Sequence, residues 1–214
     1  GWSVSGSVSD GAWERALPIG GGDRADPPTD FDGSGQCYLT DAEDGNSDVD
    51  DGTTILTSPV FDLSGGGTIS YAYWMDSTNF DADSLTVEIA TDTAATNWSR
   101  VRSYTTPMSQ WKTDSIDVVS ESTSSSTVRI RFLASDGGEP SVIEAAVDAV
   151  SVEQTGACCP GDCDNSGAVN FSDLVAILGV FGTSATDTSC DPDASGVVNF
   201  SDLVATLSLF GPCE

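Results

Sequence analysis

The sequence predicts a mostly β chain in two parts: a β-sandwich or jelly roll over residues 1–155, followed by a small α-helical module over residues 156–214. In the first part, short runs of alternating apolar and polar residues are separated by Gly, Asp, Ser and Asn clusters, and no long helical periodicity interrupts them. In the second part, an acidic loop followed by an apolar stretch with helical spacing occurs twice.

The predicted strands of the first part follow one another at short intervals. The N-terminal run alternates Trp2, Val4 and Val8 with Ser and Gly. Further runs lie at 36–40, 53–59, 68–75, 85–91, 100–105, 113–118, 128–134 and 145–153. Turn-forming residues between them are typical of a sandwich or jelly roll. The short segment 154–157 is the expected boundary between the two parts.

The duplicated segment spans residues 162–182 and 191–211, and the two copies superpose without a gap. Each copy has oxygen-bearing side chains at the first, third, fifth, ninth and twelfth positions of an EF-hand-type loop, with Gly167 or Gly196 at the sharp turn. Ca²⁺ takes about six to eight oxygen ligands, which a short loop supplies when alternate side chains point inward. The predicted ligands, with Ala168 and Val197 contributing backbone carbonyls, are Asp162, Asp164, Ser166, Ala168, Asn170 and Asp173, and Asp191, Asp193, Ser195, Val197, Asn199 and Asp202.

A helix is expected after each loop. Its apolar residues are Leu174, Ile177, Leu178 and Phe181 in the first copy and Leu203, Leu207 and Phe210 in the second. Gly182 and Gly211 are expected to end the helices. We expect the two copies to bury these apolar stripes against each other about a pseudo-twofold axis.

Residues 160–213 resemble the type I dockerin family, whose repeats are loop-helix units of this kind. In dockerins, loop positions 10 and 11 help to select the cohesin partner. The corresponding residues are Phe171-Ser172 and Phe200-Ser201. The resemblance therefore implies a cohesin-like partner, bound in either of two related orientations. The chain departs from the family in having no Lys or Arg after Arg131.

Residues 1–155 resemble MAM-like and galactose-binding-like jelly rolls. The resemblance lies in residues 57–63, 71–75, 128–132 and 147–150, and in Trp98 and Trp111. It implies a structural Ca²⁺ between the last strand and an early acidic loop. The expected ligands of this third site are Asp148 with members of the set Asp41, Asp44, Asp48, Asp50 and Asp51. A solvated acidic loop is the alternative.

The net charge of −27 comes from 7 basic and 34 acidic residues and excludes nucleic acid and anionic membrane surfaces as partners. No apolar run reaches the length of about 18 residues that would suggest membrane insertion. Gly1 in place of Met suggests a processed chain whose signal peptide has been removed. With calcium loops and an even number of cysteines, we expect an extracellular or cell-surface protein.

The six cysteines are expected to form disulfides. We expect Cys213 to pair with Cys158 or Cys159, and Cys163 to pair with Cys190. Cys37 would then join the remaining member of the Cys158/Cys159 pair.

No catalytic residue is predicted, because the chain contains no His and no particular carboxylate pair stands out among its many acids. Trp74, Trp98 and Trp111 are interpreted as core residues, with sugar stacking as the alternative. The segment Asn97-Trp98-Ser99 fits the N-glycosylation pattern and makes the chain a possible glycoprotein.

The expected function is that of a calcium-binding structural protein. Its subunits would dock to one another through the C-terminal module or through the strand within residues 1–10 and form a filament or surface layer. The alternative is a carbohydrate-binding accessory module that the C-terminal part anchors to a cohesin-like receptor.

Overall fold

The computed structural model describes residues 1–20, 25–43, 48–63, 66–79, 82–122, 125–138, 141–154, 159–164, 166–185 and 189–213. The chain divides into two compact units. The first comprises residues 1–62 and 68–153, and the second comprises residues 63–67 and 154–214.

The described residues form the following strands and helices, in chain order. They are β1 (Ser3–Ser7), β2 (Trp13–Ala16), β3 (Cys37–Thr40), β4 (Gly52–Thr57), β5 (Phe61–Leu63), β6 (Gly67–Ser77), β7 (Ser84–Ala90), β8 (Ser99–Tyr104), β9 (Lys112–Asp117), α1 (Val118–Glu121), β10 (Ser125–Asp136), β11 (Ile143–Gln154), β12 (Ala168–Val169), α2 (Phe171–Gly179), α3 (Phe200–Ser208) and β13 (Gly211–Pro212).

The first sheet has the strand order β1-β4-β10-β7-β8, with β5 also paired to β10. Its central strand β10 runs antiparallel to both neighbours, and Phe132 lies opposite Leu56 on one side and Val87 on the other. Alternate residues of β10 are fully buried, among them Val128, Ile130 and Phe132. This period-two pattern is the one that the sequence shows, because successive side chains of a strand point to opposite faces.

The second sheet has the order β2-β3-β11-β6-β9 and packs against the first. The ring of Tyr71 in β6 meets that of Phe132 in β10 edge-on, with 5.1 Å between centroids. The indole Nε1 of Trp13 in β2 donates a hydrogen bond of 3.1 Å to the carbonyl oxygen of Thr54 in β4. Apolar side chains thus fill the space between two sheets, and the predicted β-sandwich is confirmed.

Strand β1 lies at the edge of the first sheet, where it pairs with β4 of its own chain. The antiparallel register runs from Ser3 opposite Thr57 to Ser7 opposite Thr53. A Cβ added at Gly6 would clash with the carbonyl oxygen of Thr53, so the pairing requires glycine there. The strand expected to complete a neighbour's sheet is therefore engaged within this chain.

The two repeats of the second unit exchange short backbone pairings. Val169, in the first loop, lies opposite Gly211 at the end of the second repeat. At the equivalent place in the second loop, the amide of Gly182 donates to the carbonyl of Val198 at 2.7 Å. Each loop is thus held by the segment that follows the other repeat's helix, and Gly182 and Gly211 serve this contact at positive φ.

The helices differ from the prediction in their ends and in their buried faces. They end at Gly179 and Ser208 and do not extend to the glycines at 182 and 211. Among the residues expected in the buried stripe, Leu178, Phe181, Leu207 and Phe210 are exposed. The buried side of each helix instead carries the loop's last carboxylate and the residue one turn later: Asp173 and Ile177 in α2, Asp202 and Thr206 in α3.

Candidate metal centres

The first loop brings three predicted ligands together. Carboxylate oxygens of Asp162, Asp164 and Asp173 all lie within 4.8 Å of one another. The two oxygens of Asp162 accept hydrogen bonds from the amides of Ser166 and Gly167, both at 2.9 Å. Asp162 and Asp173 are fully buried, whereas Asp164 is exposed. The loop therefore brings two buried carboxylates and one solvent-exposed carboxylate together.

The second loop repeats this arrangement. Asp191, Asp193 and Asp202 form an equivalent cluster within 4.8 Å. Asp191 accepts from the amides of Ser195 at 3.0 Å and Gly196 at 2.7 Å. The turn glycines have nearly identical backbone angles, φ +85° at Gly167 and +84° at Gly196. The duplication in the sequence is thus a duplication of the site geometry.

The carboxylate of Asp202 is incompletely satisfied. It is fully buried, and its Oδ2 accepts from the amide of Asn199 at 2.7 Å. Its Oδ1 accepts no hydrogen bond from any residue that the structure describes. A buried carboxylate oxygen without a donor is costly, and a cation held by the loop would offset that cost.

The two buried carboxyls of the second loop have pKa values shifted in opposite directions. Burial raises the pKa of Asp202 above its ordinary value. Burial also opposes ionisation of Asp191, but the backbone amides of Gly196 and Ser195 outweigh it and lower the pKa of that carboxyl. Asp191 therefore ionises more readily than an ordinary aspartate, whereas Asp202 beside it ionises less readily.

The other predicted ligands lie around each cluster, although Asn170 and Asn199 act here as helix N-caps. Their Oδ1 atoms accept from the amides two residues on, at 2.9 Å and 2.8 Å. Their Nδ2 atoms donate to the carbonyls of Ala168 and Val197, at 3.0 Å and 2.8 Å. The hydroxyls of the fifth-position serines bond to the same two carbonyls, at 3.1 Å each. These carbonyls therefore face the polar side chains of their loops.

The donor set fits a hard cation. The three side chains of each cluster offer only carboxylate oxygens, and the chain contains no His. Zn²⁺ prefers nitrogen and sulfur ligands, and Ca²⁺ prefers oxygen. The residues present therefore fit a hard divalent cation that prefers oxygen ligands.

Two disulfides lie at the candidate centres. Cys163–Cys190 links the second position of the first loop to the residue just before the second loop. Cys159–Cys213 joins the ends of the unit, and the sulfur of Cys213 lies 3.4 Å from Oδ2 of Asp162. Both pairings are among those expected from the sequence. They fix the two loops to each other and to the chain end.

The disulfide predicted for Cys37 is not formed. Cys37 is a buried free thiol on β3, packed with Leu39, Trp74 and Ala146. Burial raises its pKa to about 12, helped by the charges of Asp148 and Asp30. Its side chain faces this core cluster, which accounts for its lack of a partner. Cys158, one of its two proposed partners, lies outside the described residues.

Asp148 lies beside other acids than those predicted for a third site. Asp148 groups with Asp30 and Asp32 within 4.8 Å, and no such cluster of described residues combines it with Asp41, Asp48, Asp50 or Asp51. Asp44 lies outside the described residues. Oδ2 of Asp148 accepts from the amide of Phe31 at 2.8 Å, which brings the segment around residues 30–32 to this carboxylate. The sequence analysis did not identify Asp30 and Asp32, although these two acids stand directly before the turn-forming segment Gly33-Ser34-Gly35.

The sandwich also contains a cavity of about 270 Å³ that the sequence did not reveal. Trp2 and Tyr38 lie on its lining with 5.7 Å between ring centroids. Polar side chains of Arg15, Asp32 and Gln36 line it as well. Cross-strand pairing places Arg15 directly opposite Tyr38, which explains how residues distant in sequence share the cavity.

The tryptophans singled out in the sequence have structural contacts. Trp74 is buried, and its Nε1 donates to the carbonyl of Ala25 at 2.8 Å. Trp111 packs edge-on against Trp74 at 6.0 Å. The guanidinium of Arg131 lies over the ring of Trp98 at 4.1 Å. Trp74 is therefore a core residue as predicted, whereas Trp98 and Trp111 are only half-buried.

The predicted partner residues and the glycosylation motif are accessible. Phe171 and Phe200 are 72% and 70% exposed at the starts of α2 and α3, and Ser172 and Ser201 beside them are exposed too. Asn97 is exposed before β8.

Solved structures similar to this chain include carbohydrate-binding modules and an adhesin domain. TmCBM61 in complex with β-1,4-galactotriose is 12% identical with a TM-score of 0.47, and the match covers 72% of this chain and 88% of that one. The K1 cleaved adhesin domain of Lys-gingipain from Porphyromonas gingivalis W83 is 14% identical with a TM-score of 0.46, covering 72% and 91%. The family 11 carbohydrate-binding module from Clostridium thermocellum, in complex with a β-1,3-1,4-mixed-linked tetrasaccharide, is 15% identical with a TM-score of 0.39, covering 72% and 88%.

No protein-family model and no curated protein matches the sequence. In the part of the chain that the structure describes, no helix has the length and apolar character needed to cross a membrane.

Proposed function

We propose that the chain is an extracellular binding protein. Its C-terminal unit binds two Ca²⁺ ions and docks to a cohesin-like partner protein, and its β-sandwich binds carbohydrate. The observation that carries this proposal is the convergence of three carboxylates at equivalent positions of two loops. The proposal assigns the chain no catalytic activity, since it contains no His and no particular carboxylate pair stands out among its acids.

The calcium part of the proposal follows from the electrostatics of the loops. Three carboxylates in each loop repel one another, and burial of two of them strengthens that repulsion. A bound Ca²⁺ supplies the compensating charge and accepts oxygen ligands, including the unsatisfied Oδ1 of Asp202. The hydroxyls of Ser166 and Ser195 and the carbonyls of Ala168 and Val197 would complete the ligand set.

Calcium binding and helix formation share the same residues. Asp173 and Asp202 are the third residues of α2 and α3, and each accepts a hydrogen bond from its helix N-cap amide at 2.7 Å. The carboxylate that would bind the ion therefore also holds the first turn of the helix. We expect calcium removal to loosen both helices at their N-termini.

Circular dichroism tests the coupling between calcium and the helices. The helical signal should fall when Ca²⁺ is chelated and return when it is restored. Because all five Trp residues lie within residues 1–153, their emission should stay constant and serve as an internal control. The Asp162→Asn/Asp191→Asn double variant should show no response to calcium. An identical helical signal with and without Ca²⁺ in the unaltered chain would contradict the proposal.

The carbohydrate part of the proposal is supported by the cavity beside Trp2. Sugar rings stack on aromatic faces, and planar polar side chains pair with adjacent hydroxyls. Trp2 and Tyr38 supply the aromatic surface, while Arg15, Asp32 and Gln36 supply the polar groups. A cavity of about 270 Å³ accommodates part of a saccharide, with further units extending outward.

Titration with soluble oligosaccharides tests this site. β-1,4-Galactotriose and a β-1,3-1,4-linked tetrasaccharide are suitable first probes, since two of the similar modules hold them. A sugar that binds the unaltered chain should lose at least about tenfold in affinity in Trp2→Ala, the loss expected for an aromatic anchor. Trp98→Ala is the control, because that ring packs on Arg131 and does not line the cavity. Equal binding by Trp2→Ala would remove the cavity from the proposal.

Self-assembly is the second candidate function, and the exposed apolar side chains of α2 and α3 favour it. Electron microscopy of the purified chain in millimolar Ca²⁺ should then show ordered polymers that dissociate on chelation. Compact monomers under both conditions would exclude assembly from this chain alone.

A further inference from the structure

The outer face of the first sheet carries three of the chain's seven basic residues. Arg129 and Arg131 lie on β10 and Arg100 lies on β8, with β7 between these two strands. In the antiparallel register, Arg131 lies opposite Glu88 of β7, and Glu88 lies opposite Arg100. Directly opposed residues point to the same face of a sheet, and the buried Ile130 between the two arginines of β10 points to the other face. We call Arg100, Arg129, Arg131 and Glu88 the arginine face.

Two of these arginines are anchored and still have N–H donors to spare. Nε and Nη2 of Arg131 both donate to Oε2 of Glu88, at 2.8 Å and 2.5 Å, and the guanidinium lies over the ring of Trp98. Nη1 of Arg129 donates to the carbonyl of Thr93 at 3.1 Å. Because a guanidinium has five N–H donors, each side chain keeps several for a ligand. An anchored guanidinium also loses less side-chain entropy when it binds an anion.

The third arginine, Arg100, is exposed and forms no ion pair with any residue that the structure describes. Its neighbour on the same strand is different: Arg102 pairs with Asp114 at 3.1 Å and with Glu121 at 2.7 Å. Adjacent strands lie about 4.8 Å apart, so the backbones at Arg100 and Arg131 are separated by roughly 10 Å. The arginine face therefore presents three guanidinium groups that share one carboxylate.

The charge near the arginine face is opposite in sign to that of the whole chain. The structure describes every residue of β1, β4, β10, β7 and β8, and Glu88 is the one acid among their outward-facing residues. Asp92, in the loop after β7, turns its carboxylate to the amides of Thr96 and Asn97. Exposed charges more than about 8 Å apart are largely screened at physiological salt. The arginines therefore attract an anion locally, although the net charge of the chain is −27.

The residues beside the arginines favour a saccharide over a protein or a nucleic acid. The row that contains Arg131 continues through Thr57 of β4 to Ser3 of β1, so hydroxyl groups adjoin the guanidinium groups. The large apolar side chains that are exposed in the described part of the chain lie away from the outward positions of these strands, whereas a protein interface has an apolar centre. Three arginines are few for a nucleic acid, since its binding proteins commonly neutralise about six to ten phosphates.

We propose that the arginine face binds the carboxylate or sulfate groups of an acidic saccharide. The N–H groups of a guanidinium pair with two oxygens of such a group. The hydroxyls of Thr57 and Ser3 are placed to pair with hydroxyls of the same sugar chain. This surface lies on the opposite side of the first sheet from the cavity beside Trp2, because Trp2 packs against the inward-facing Phe132. It also requires no Ca²⁺.

A matched series of hexasaccharides tests the site. The probes are chondroitin, which carries carboxylates, chondroitin sulfate, which carries carboxylates and sulfates, and chondroitin with its carboxylates reduced to alcohols. By calorimetry, the full chain should bind an anionic form at least about tenfold more tightly than the reduced form, and less tightly as salt is raised. Tighter binding of the sulfated form would assign sulfate as the preferred group, and binding no tighter than that of chondroitin would assign carboxylate. Absence of binding, or equal binding of all three, would overturn the proposal.

Variants locate the binding on the first sheet. Arg100→Gln/Arg129→Gln should weaken binding of the anionic hexasaccharide at least about tenfold, and Arg100→Gln alone should weaken it by a smaller factor. Lys112→Gln is the matched control for the single variant, because it removes one positive charge from an exposed position of β9 in the second sheet. Equal loss in Arg100→Gln and Lys112→Gln, or no loss in the double variant, would overturn the proposal. So would dimers in analytical ultracentrifugation that the double variant abolishes, since an acidic surface of a second copy would then occupy the arginine face.

Discussion

Thr206 is a buried polar residue at a position where the first repeat has an apolar one. It is fully buried in α3, and the equivalent residue of α2 is the fully buried Ile177. Its hydroxyl has no hydrogen-bond partner among the residues that the structure describes. Valine has the same shape without the hydroxyl, so Thr206→Val should remove a desolvation cost and create no cavity.

The expected gain is about 1 kcal/mol in the free energy of unfolding of the C-terminal unit, at the lower end of the cost of an unsatisfied buried group. For a unit of about 60 residues this corresponds to a rise in Tm of roughly 4–8 °C. The helical circular dichroism signal follows this unit, because α2 and α3 are its helices. Trp emission follows the sandwich and should not shift.

Thr40→Val is the matched control. Its hydroxyl donates to Oε2 of Glu144 at 3.1 Å and accepts from the amide of Ala145 at 2.9 Å. The same substitution should therefore destabilise the sandwich by about 1–3 kcal/mol, seen in the Trp transition. A loss of stability in Thr206→Val would refute the reasoning, since it would show that the buried hydroxyl makes a favourable bond.

Three further predictions concern the sandwich. Cys37, with its pKa raised from 9.0 to about 12 by burial, should resist alkylation at about pH 8 in the native chain and react on unfolding, as read by peptide mapping. Modification of the Cys37 thiol in the native chain would contradict this prediction. The stability that the neutral buried thiol contributes is complete below pH 9.0 and is lost as the pH rises towards 12. Tyr104→Phe removes the hydrogen bonds that the Tyr104 hydroxyl makes with Tyr71 at 2.8 Å and Asp114 at 2.6 Å. The free energy of unfolding of the sandwich, measured by denaturant titration, should fall by about 1–3 kcal/mol. An unchanged denaturation midpoint would contradict a stabilising role of these hydrogen bonds. Burial raises the pKa of both Tyr71 and Tyr104, so an ultraviolet titration should show these two tyrosines ionising only above the ordinary pH range of tyrosine. Ionisation of all four tyrosines within that ordinary range would contradict the prediction.

The parts of the structure that depend on local pattern could be predicted from the sequence. The predicted strand 128–134 lies within β10. It could be predicted because the side chains of a strand alternate between a buried and an exposed face, which leaves an alternating pattern in the sequence. The loop geometry could be predicted because two copies share one spacing and Gly167 and Gly196 mark the same turn.

The parts of the structure that depend on contacts between distant segments could not be predicted from the sequence. Asp148 meets the segment around Asp32, more than a hundred residues earlier, and no local pattern indicates which acidic loop reaches it. The apolar spacing of α2 suggested that Leu178 is buried, but the buried side is set by Asp173, whose carboxylate turns inward to the loop. The helical spacing of the apolar residues does not by itself show which of them lie on the same side of the helix as the inward-facing Asp173 carboxylate.

Calorimetric titration of the calcium-free chain with Ca²⁺ tests the central claim most directly. The account predicts two sites from the paired loops, one of which is lost in Asp162→Asn and the other in Asp191→Asn. Asp92→Asn is the control, because that carboxylate accepts turn amides outside the loops and should leave both sites intact. Absence of calcium binding, or loop variants that bind like the unaltered chain, would contradict the account.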